Sequence, residues 1–159
     1  MKSDAGTLRR ILKAGRQQLK EQHTSGASPQ TVISRHSWMI DQLITTAARS
    51  TFGAKTRDHF AIIAVGGYGR AELHPQSDID LLILFDDRPT TAAQDATGEF
   101  VRLLWDIGLE IGHSARTVTQ CREHAMEDLT IITSLMEARL LLGNPRLLHS
   151  LNNAIQPAQ

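Results

Sequence analysis

Three observations predict an α+β fold with a small sheet flanked by helices. Residues 61–65 and 79–85 are nearly unbroken apolar runs bounded by turn residues, as buried strands are. Residues 4–22, 29–51 and 91–107 space their apolar side chains at the helical period instead. The strand at 79–85 is interrupted by one charge, Asp80, which is costly to bury unless something pairs with it.

The N-terminal stretch 4–22 has Leu8, Ile11, Leu12, Gly15 and Leu19 on one face, with Arg9, Arg10, Lys13, Arg16 and Lys20 around the rest. Such a basic helix either binds an acidic partner or presents a solvated face, and solvation is the plainer reading. HTSGASPQ is a linker in which Ser28 suits an N-cap and Pro29 the first helical position. Val32, His36, Met39, Ile40, Leu43, Ile44 and Ala47 form the stripe of the second helix, with His36 packed or at its rim. Gly53 is expected to end that helix, and residues 55–58 to form a polar loop.

Asp86 to Pro89 make a turn after the second strand. Phe100, Leu103, Leu104 and Ile107 are the stripe of the helix at 91–107, closed by Gly108. Residues 109–118 read as a third strand and 119–128 as a short helix. Asp128 is placed to cap a longer helix ending at Gly143, and Asn144-Pro145 to restart a last one that frays from residue 152.

Composition narrows the function. A length of 159 residues predicts one domain, and 41% hydrophobic residues supply its core. With four Phe, two Trp and one Tyr, that core is mainly aliphatic. A net charge of zero argues against a nucleic-acid partner held by broad phosphate attraction. The single cysteine, Cys121, rules out an intramolecular disulfide and suits a reducing cytoplasm. It reads as a packed thiol, since no base is identified to activate it. No apolar run reaches membrane-spanning length and no signal-peptide core is present, so no membrane partner is expected.

The chemistry concentrates in AIIAVGGYGRAELHPQSDIDLLILF, residues 61–85. Asp78 and Asp80 lie two residues apart, so on a strand they share a face with their carboxylates within about 7 Å. Two anions so close call for a shared proton or a divalent cation, and oxygen-only ligands suit Mg2+. Gly66 and Gly67 allow a ligand to approach the backbone. A short helix from Tyr68 to Leu73 would turn its free N–H groups toward an anion. Arg70 adds a guanidinium and Ser77 a hydroxyl. The sum suits a nucleoside triphosphate with Mg2+ on its phosphates. No GxxxxGK[ST] is present, and GGYGRAE does not give GxGxxG, so neither a P-loop nor a dinucleotide fingerprint applies.

GGYGRAELHPQSDIDLL, with LWDIGLEIGHSART further on, resembles the nucleotidyltransferase domain of the bacterial protein-PII uridylyltransferase / uridylyl-removing enzyme family. That domain belongs to the DNA polymerase beta-like nucleotidyltransferase superfamily. The likeness runs from about Ala61 to Gly143. It implies a small mixed sheet with flanking helices and an N-terminal helical lead-in. It also implies transfer of UMP from UTP to a tyrosine of the PII nitrogen-regulatory protein, with release of pyrophosphate. By motif, Gly66 and Gly67 would contact the triphosphate, and Asp78 and Asp80 would hold Mg2+.

Members of the superfamily add a third carboxylate from a later strand. Glu110, in an apolar-acid-apolar context, is the candidate, completing the metal site or acting as base, with Asp106 and Asp128 as alternates. His113, Ser114 and Arg116 are further candidates for binding nucleotide. A Ser-His-Asp triad through Ser114 and His113 fails, because neighbouring strand residues face opposite ways. One departure is Ala71, where the family commonly has glycine; in a helical turn alanine would do little harm.

The expected division is an N-terminal helical segment over 1–58, a nucleotidyltransferase core over 59–143 and a C-terminal helical tail over 144–159. The family enzyme continues into a helical region, an HD-type hydrolase domain and ACT domains. The sequence has no His-Asp dipeptide, so uridylyl removal is not assigned to it. Two alternatives stay open: a catalytically silent module binding nucleotide or PII, and a transferase using another nucleotide or acceptor.

Overall fold

The structure, a computed structural model, describes residues 5–52, 59–71 and 78–155. Their order is α1 (Ala5–Thr24), α2 (Pro29–Thr51), β1 (Phe60–Ala64), α3 (Gly66–Gly69), β2 (Ile79–Phe85), α4 (Thr91–Ile107), β3 (Ile111–Thr117), α5 (Val118–Glu127), α6 (Leu129–Met136), β4 (Arg139–Gly143) and α7 (Pro145–Ile155). The expected end of α2 at Gly53 and the loop at 55–58 lie outside the described residues.

The four strands form one mixed sheet in the order β3-β2-β1-β4. β1 runs antiparallel to both β2 and β4, whereas β2 and β3 are parallel. β1 lies inside the sheet and all five of its residues are buried. Each large aliphatic side chain buried there stabilises the fold by roughly 1.5–3 kcal/mol.

Side chains alternate, so each face has its own core. Phe60, Ile62, Leu81, Ile83 and Phe85 pack with α1, α2 and α4. Ala61, Ile63, Leu82 and Leu84 pack with α5, α6 and α7. On the first face Phe52 stacks on Phe60 at 4.3 Å between ring centroids and meets Phe100 at 5.7 Å, tying α2, β1 and α4 together.

Local signals act where the sequence puts them. Ser28 caps α2 by accepting from the Thr31 N–H at 3.2 Å, and Pro29 opens the helix. Thr90 caps α4, which ends at Gly108 in the left-handed conformation. Thr117 and Gln120 form a capping box at α5. Asp128 caps α6, accepting from the Thr130 N–H at 2.9 Å and hydroxyl at 2.7 Å.

The helix expected to run from Asp128 to Gly143 is a correction. α6 stops at Met136, and Arg139–Gly143 is strand β4 on the outer side of β1. Leucine-rich residues favour a helix locally, but a fully buried β1 would otherwise keep a bare edge of unpaired N–H and C=O groups. Pairing wins. Gly143 is part of that contact, not a helix stop: a β-carbon there would lie 2.3 Å from the Phe60 carbonyl oxygen. The expected fraying from residue 152 is also corrected as far as Ile155, which is helical and buried with Leu147 and Leu151.

Ala71 provides a third correction. The helical turn stops at Gly69, and Ala71 adopts a φ of 58°, the left-handed region that crowds a β-carbon. Alanine is thus strained here and not favourable. Ala71→Gly should relieve that strain by more than the added chain entropy costs, raising stability by about 0.5–1 kcal/mol. Urea denaturation of the two proteins measures the difference; equal or lower stability for the glycine variant would remove the strain argument.

Candidate active site

β2 enters the sheet at Ile79, and Asp78 and Asp80 stand at that end on solvent-exposed positions. From Leu81 onward every residue of β2 is buried. The strand therefore anchors the two carboxylates while leaving them open to solvent, Asp80 only in part. The Val65 N–H donates to the Asp80 carbonyl at 3.1 Å, which holds the end of β1 against the same point.

Asp80 lies between two glycines. A β-carbon on Gly112, its register partner in β3, would sit 3.0 Å from Asp80 Oδ1. One on Gly66, at a φ of 63°, would sit 3.5 Å from Asp80 Oδ2 and 3.9 Å from Ser134 Oγ. The bare backbone on both flanks leaves room for a group bound to the carboxylate. Partial burial, and secondarily the Asp78 charge, raise the Asp80 pKa above its ordinary value. Nearby positive charge would relieve that penalty.

Asp78, Asp80 and Glu110 line one cleft of about 670 Å³, together with Trp105, Leu109 and Gly112. Neither alternate lines this cleft: Asp106 is next to Trp105 at the end of α4, where its carbonyl accepts from Arg9, and Asp128 caps α6. Among the described residues no three Asp, Glu, His or Cys side chains converge into a ready-made metal cage. A pair of carboxylates facing open space suits Mg2+, which keeps waters and takes further oxygens from phosphate.

Gly66 and Gly67 form the first turn of α3, directly after β1. The Arg70 guanidinium lies beside that turn, with Nη2 3.5 Å from where a Gly67 β-carbon would be, and it is paired with Glu137. Ser77 falls outside the described residues.

The three later candidates do not act together. His113 lies on the opposite sheet face from Ser114 and Arg116, with its ring edge-on to Trp105 at 6.3 Å. Arg116 pairs with Leu84, four residues along β2 from Asp80, or about 13 Å away along the strand. There it partly offsets the burial that pushes the Cys121 thiol up to about 11. A thiol so protonated is a packed group, not a nucleophile.

Sequence reasoning missed the group that holds the glycine turn. The Tyr68 hydroxyl donates to Asp41 Oδ1 at 2.6 Å. Arg139 donates to the same carboxylate, Nη1 to Oδ2 at 2.7 Å and Nη2 to Oδ1 at 3.2 Å. Arg139 also donates to the Tyr68 carbonyl at 3.1 Å and the Gly69 carbonyl at 3.4 Å. Its guanidinium carbon lies 5.3 Å from the Tyr68 ring centroid. Burial, then the Asp41 charge, push the Tyr68 hydroxyl far above its ordinary pKa, so it stays a donor. Burial works against the charge on Arg139, but its hydrogen bond and attraction to Asp41 outweigh that and raise its pKa. α2, α3 and β4 thus meet at one half-buried ion pair.

Residues 51–141 match the family described as "Nucleotidyltransferase domain". The chain is 45% identical over 152 residues to the bifunctional uridylyltransferase/uridylyl-removing enzyme of Nitrosococcus oceani, covering 96% of this chain and 17% of that protein. It is 41% identical over 145 residues to the enzyme of the same name from Stutzerimonas stutzeri, covering 91% of this chain and 16% of that protein. The chain therefore spans about a sixth of the length of these relatives. Among the described residues no helix is long and apolar enough to cross a membrane.

Removing one partner of the ion pair would strand the other. Arg139→Met should cost about 2–3 kcal/mol, less than a fully buried pair because both side chains keep some exposure. Asp41→Asn should cost a similar amount, and the double variant clearly less than the sum of the two. A denaturation cycle measures this; additive losses would show that the two groups are not coupled.

Proposed function

Because the chain belongs to the nucleotidyltransferase domain family, we propose that it carries a metal-dependent centre that transfers UMP from UTP to a tyrosine hydroxyl of the PII protein, releasing pyrophosphate. The observation that carries this reading is the shared cleft of Asp78, Asp80 and Glu110 beside the glycine turn. UTP as donor follows from the uridylyltransferase names of relatives that are 41–45% identical; PII as acceptor follows from the motif resemblance.

The residues fit Mg2+: hard oxygen donors, an open cleft, and an Asp80 carboxylate whose charge is penalised until a cation is near. Mg2+ held by Asp78 and Asp80 would neutralise the triphosphate and make the acceptor hydroxyl more acidic. The backbone of Gly66 and Gly67 orients the phosphates. Arg70 supplies positive charge beside them, shared with Glu137. The acceptor oxygen bonds to the α-phosphorus as the bond to the bridging oxygen breaks, and pyrophosphate carries away the electron pair. Glu110 takes the hydroxyl proton or orients the group that does. Positioning and electrostatics supply nearly all of the acceleration.

Titration calorimetry with UTP and separately ATP, each with and without Mg2+, tests the centre. Mg2+-dependent UTP binding is expected, and an Asp78→Asn, Asp80→Asn variant should lose it while keeping its circular dichroism and melting temperature. In transfer assays Asp78→Asn alone should lower the rate by about 10³-fold or more. Near-normal transfer by that variant would sink the assignment.

The Asp80 shift sets a pH dependence. Its raised pKa keeps the proton on to a higher pH than an ordinary carboxyl, and the proton excludes the cation. Mg2+-dependent binding should therefore weaken on acidification before the ordinary carboxylate range is reached, and recover as pH rises. Binding that stays level down to that range would contradict it.

A further inference from the structure

α1 carries a row of cations that the proposed chemistry leaves unused. Arg9, Lys13, Arg16, Lys20 and His23 recur at helical spacing along one exposed stripe. The stripe is fixed to the fold at its start, where Arg9 Nε and Nη2 donate to the Asp106 carbonyl at 2.9 and 2.6 Å. The side chains of Lys13, Arg16 and Lys20 make no ion pair or hydrogen bond among the described residues.

These cations border the site. A second cleft of about 670 Å³ has Arg16, Lys20 and His23 on one side and Leu19, Val32 and Ile79 as its apolar part. Gly108 and Glu110 line both this cleft and the one holding Asp78 and Asp80. A shallower groove of about 410 Å³ continues along Arg9, Lys13, Arg16 and Lys20. A continuous path thus leads from Asp80 past Glu110 onto the basic face of α1.

The reaction decides what this path is for. In-line substitution puts the incoming hydroxyl and the departing pyrophosphate on opposite sides of the α-phosphorus. Gly66, followed in the same turn by Gly67 and Arg70, stands on the Oδ2 side of Asp80, whereas Gly112 stands on its Oδ1 side and lines the cleft together with Glu110. With the phosphates over the glycine turn, the acceptor enters over Glu110. We propose that the Lys13–Arg16–Lys20 stripe of α1 docks the acceptor protein through acidic residues flanking its acceptor hydroxyl. The assignment of sides rests on the transferase reading; the charge complementarity does not. Such a surface speeds encounter and sets register, and it weakens with salt.

The test uses the 159-residue chain and a fluorescein-labelled peptide with one tyrosine between runs of glutamate. The same peptide with glutamines is the comparison. Anisotropy should show binding of the glutamate peptide at least about tenfold tighter than the glutamine one, falling as salt rises. The Lys13→Glu, Arg16→Glu, Lys20→Glu variant should lose that preference while its melting temperature and Mg2+–UTP affinity stay the same. Lys13→Gln, Arg16→Gln, Lys20→Gln gives the same reading without new charge should the first variant fold poorly. No binding, equal binding of both peptides, or undiminished preference in the variants would overturn the proposal. Lost Mg2+–UTP affinity in the variants would also overturn it, by assigning the stripe to the nucleotide. Peptide preference without Mg2+–UTP binding by the unmodified chain would sink the transferase reading and leave the docking face standing.

Discussion

The ion pair between Arg139 and Asp41 fixes the part of the molecule on which the site depends. Asp41 belongs to α2, Arg139 to β4, and between them lies Tyr68 in the short turn after β1. That turn contains only four helical residues, three of them glycine, too little to hold its own shape. Its carbonyls at Tyr68 and Gly69 accept from Arg139, and its tyrosine hydroxyl donates to Asp41. A glycine turn must stay open enough for a ligand to reach the backbone. The rigidity it lacks comes from outside, through charges that are partly shielded from water and so stronger than surface pairs.

The sheet imposes a complementary constraint on the carboxylates. β2 is buried from Leu81 to Phe85, so a charge could stand only at its entering end, and Asp78 and Asp80 stand there. β3 pairs in parallel with β2 and brings a glycine, not a side chain, level with Asp80. Glu110 falls just before β3 begins and reaches the same cleft from the neighbouring strand. Parallel pairing is what allows this: both strands enter the sheet from the same end, so their leading residues meet. An antiparallel β3 would have brought the end near Thr117 to Asp80 instead.

Much of this was legible in the sequence, and the parts that were not share a cause. Buried strands and amphipathic helices declare themselves by period, and caps such as Ser28 and Asp128 by residue type next to a periodic run. β4 did not, because Arg-Leu-Leu-Leu-Gly suits a helix locally and becomes a strand only through the bare edge of β1. Ala71 did not, because its left-handed φ follows from where the turn stops, not from its own preference. The Tyr68–Asp41–Arg139 group spans sequence separations of 27 and 98 residues, and its members carry no local pattern. His113 and Arg116 drew attention as polar residues near a motif, yet face and distance along the strand separate them from Asp80.

The zero net charge of the chain conceals a separation that matters more than the sum. Acidic groups collect at the entering end of β2 and β3, and the cations of α1 run along the groove that leaves it. Were the two sets within ion-pairing reach, each would cancel the other and the cleft would attract neither a cation nor an anion. Among the described residues the cations of α1 make no ion pair with Asp78 or Asp80; Gly108 and Glu110 form the wall that the two clefts share, and Arg9 is bound to a carbonyl and not to a carboxylate. On the proposed reading the two fields address different ligands: metal and triphosphate at the carboxylates, an acidic surface at the helix. A transferase that must bring two substrates together requires two such addresses, and an even mixture of charges over the same surface would provide neither.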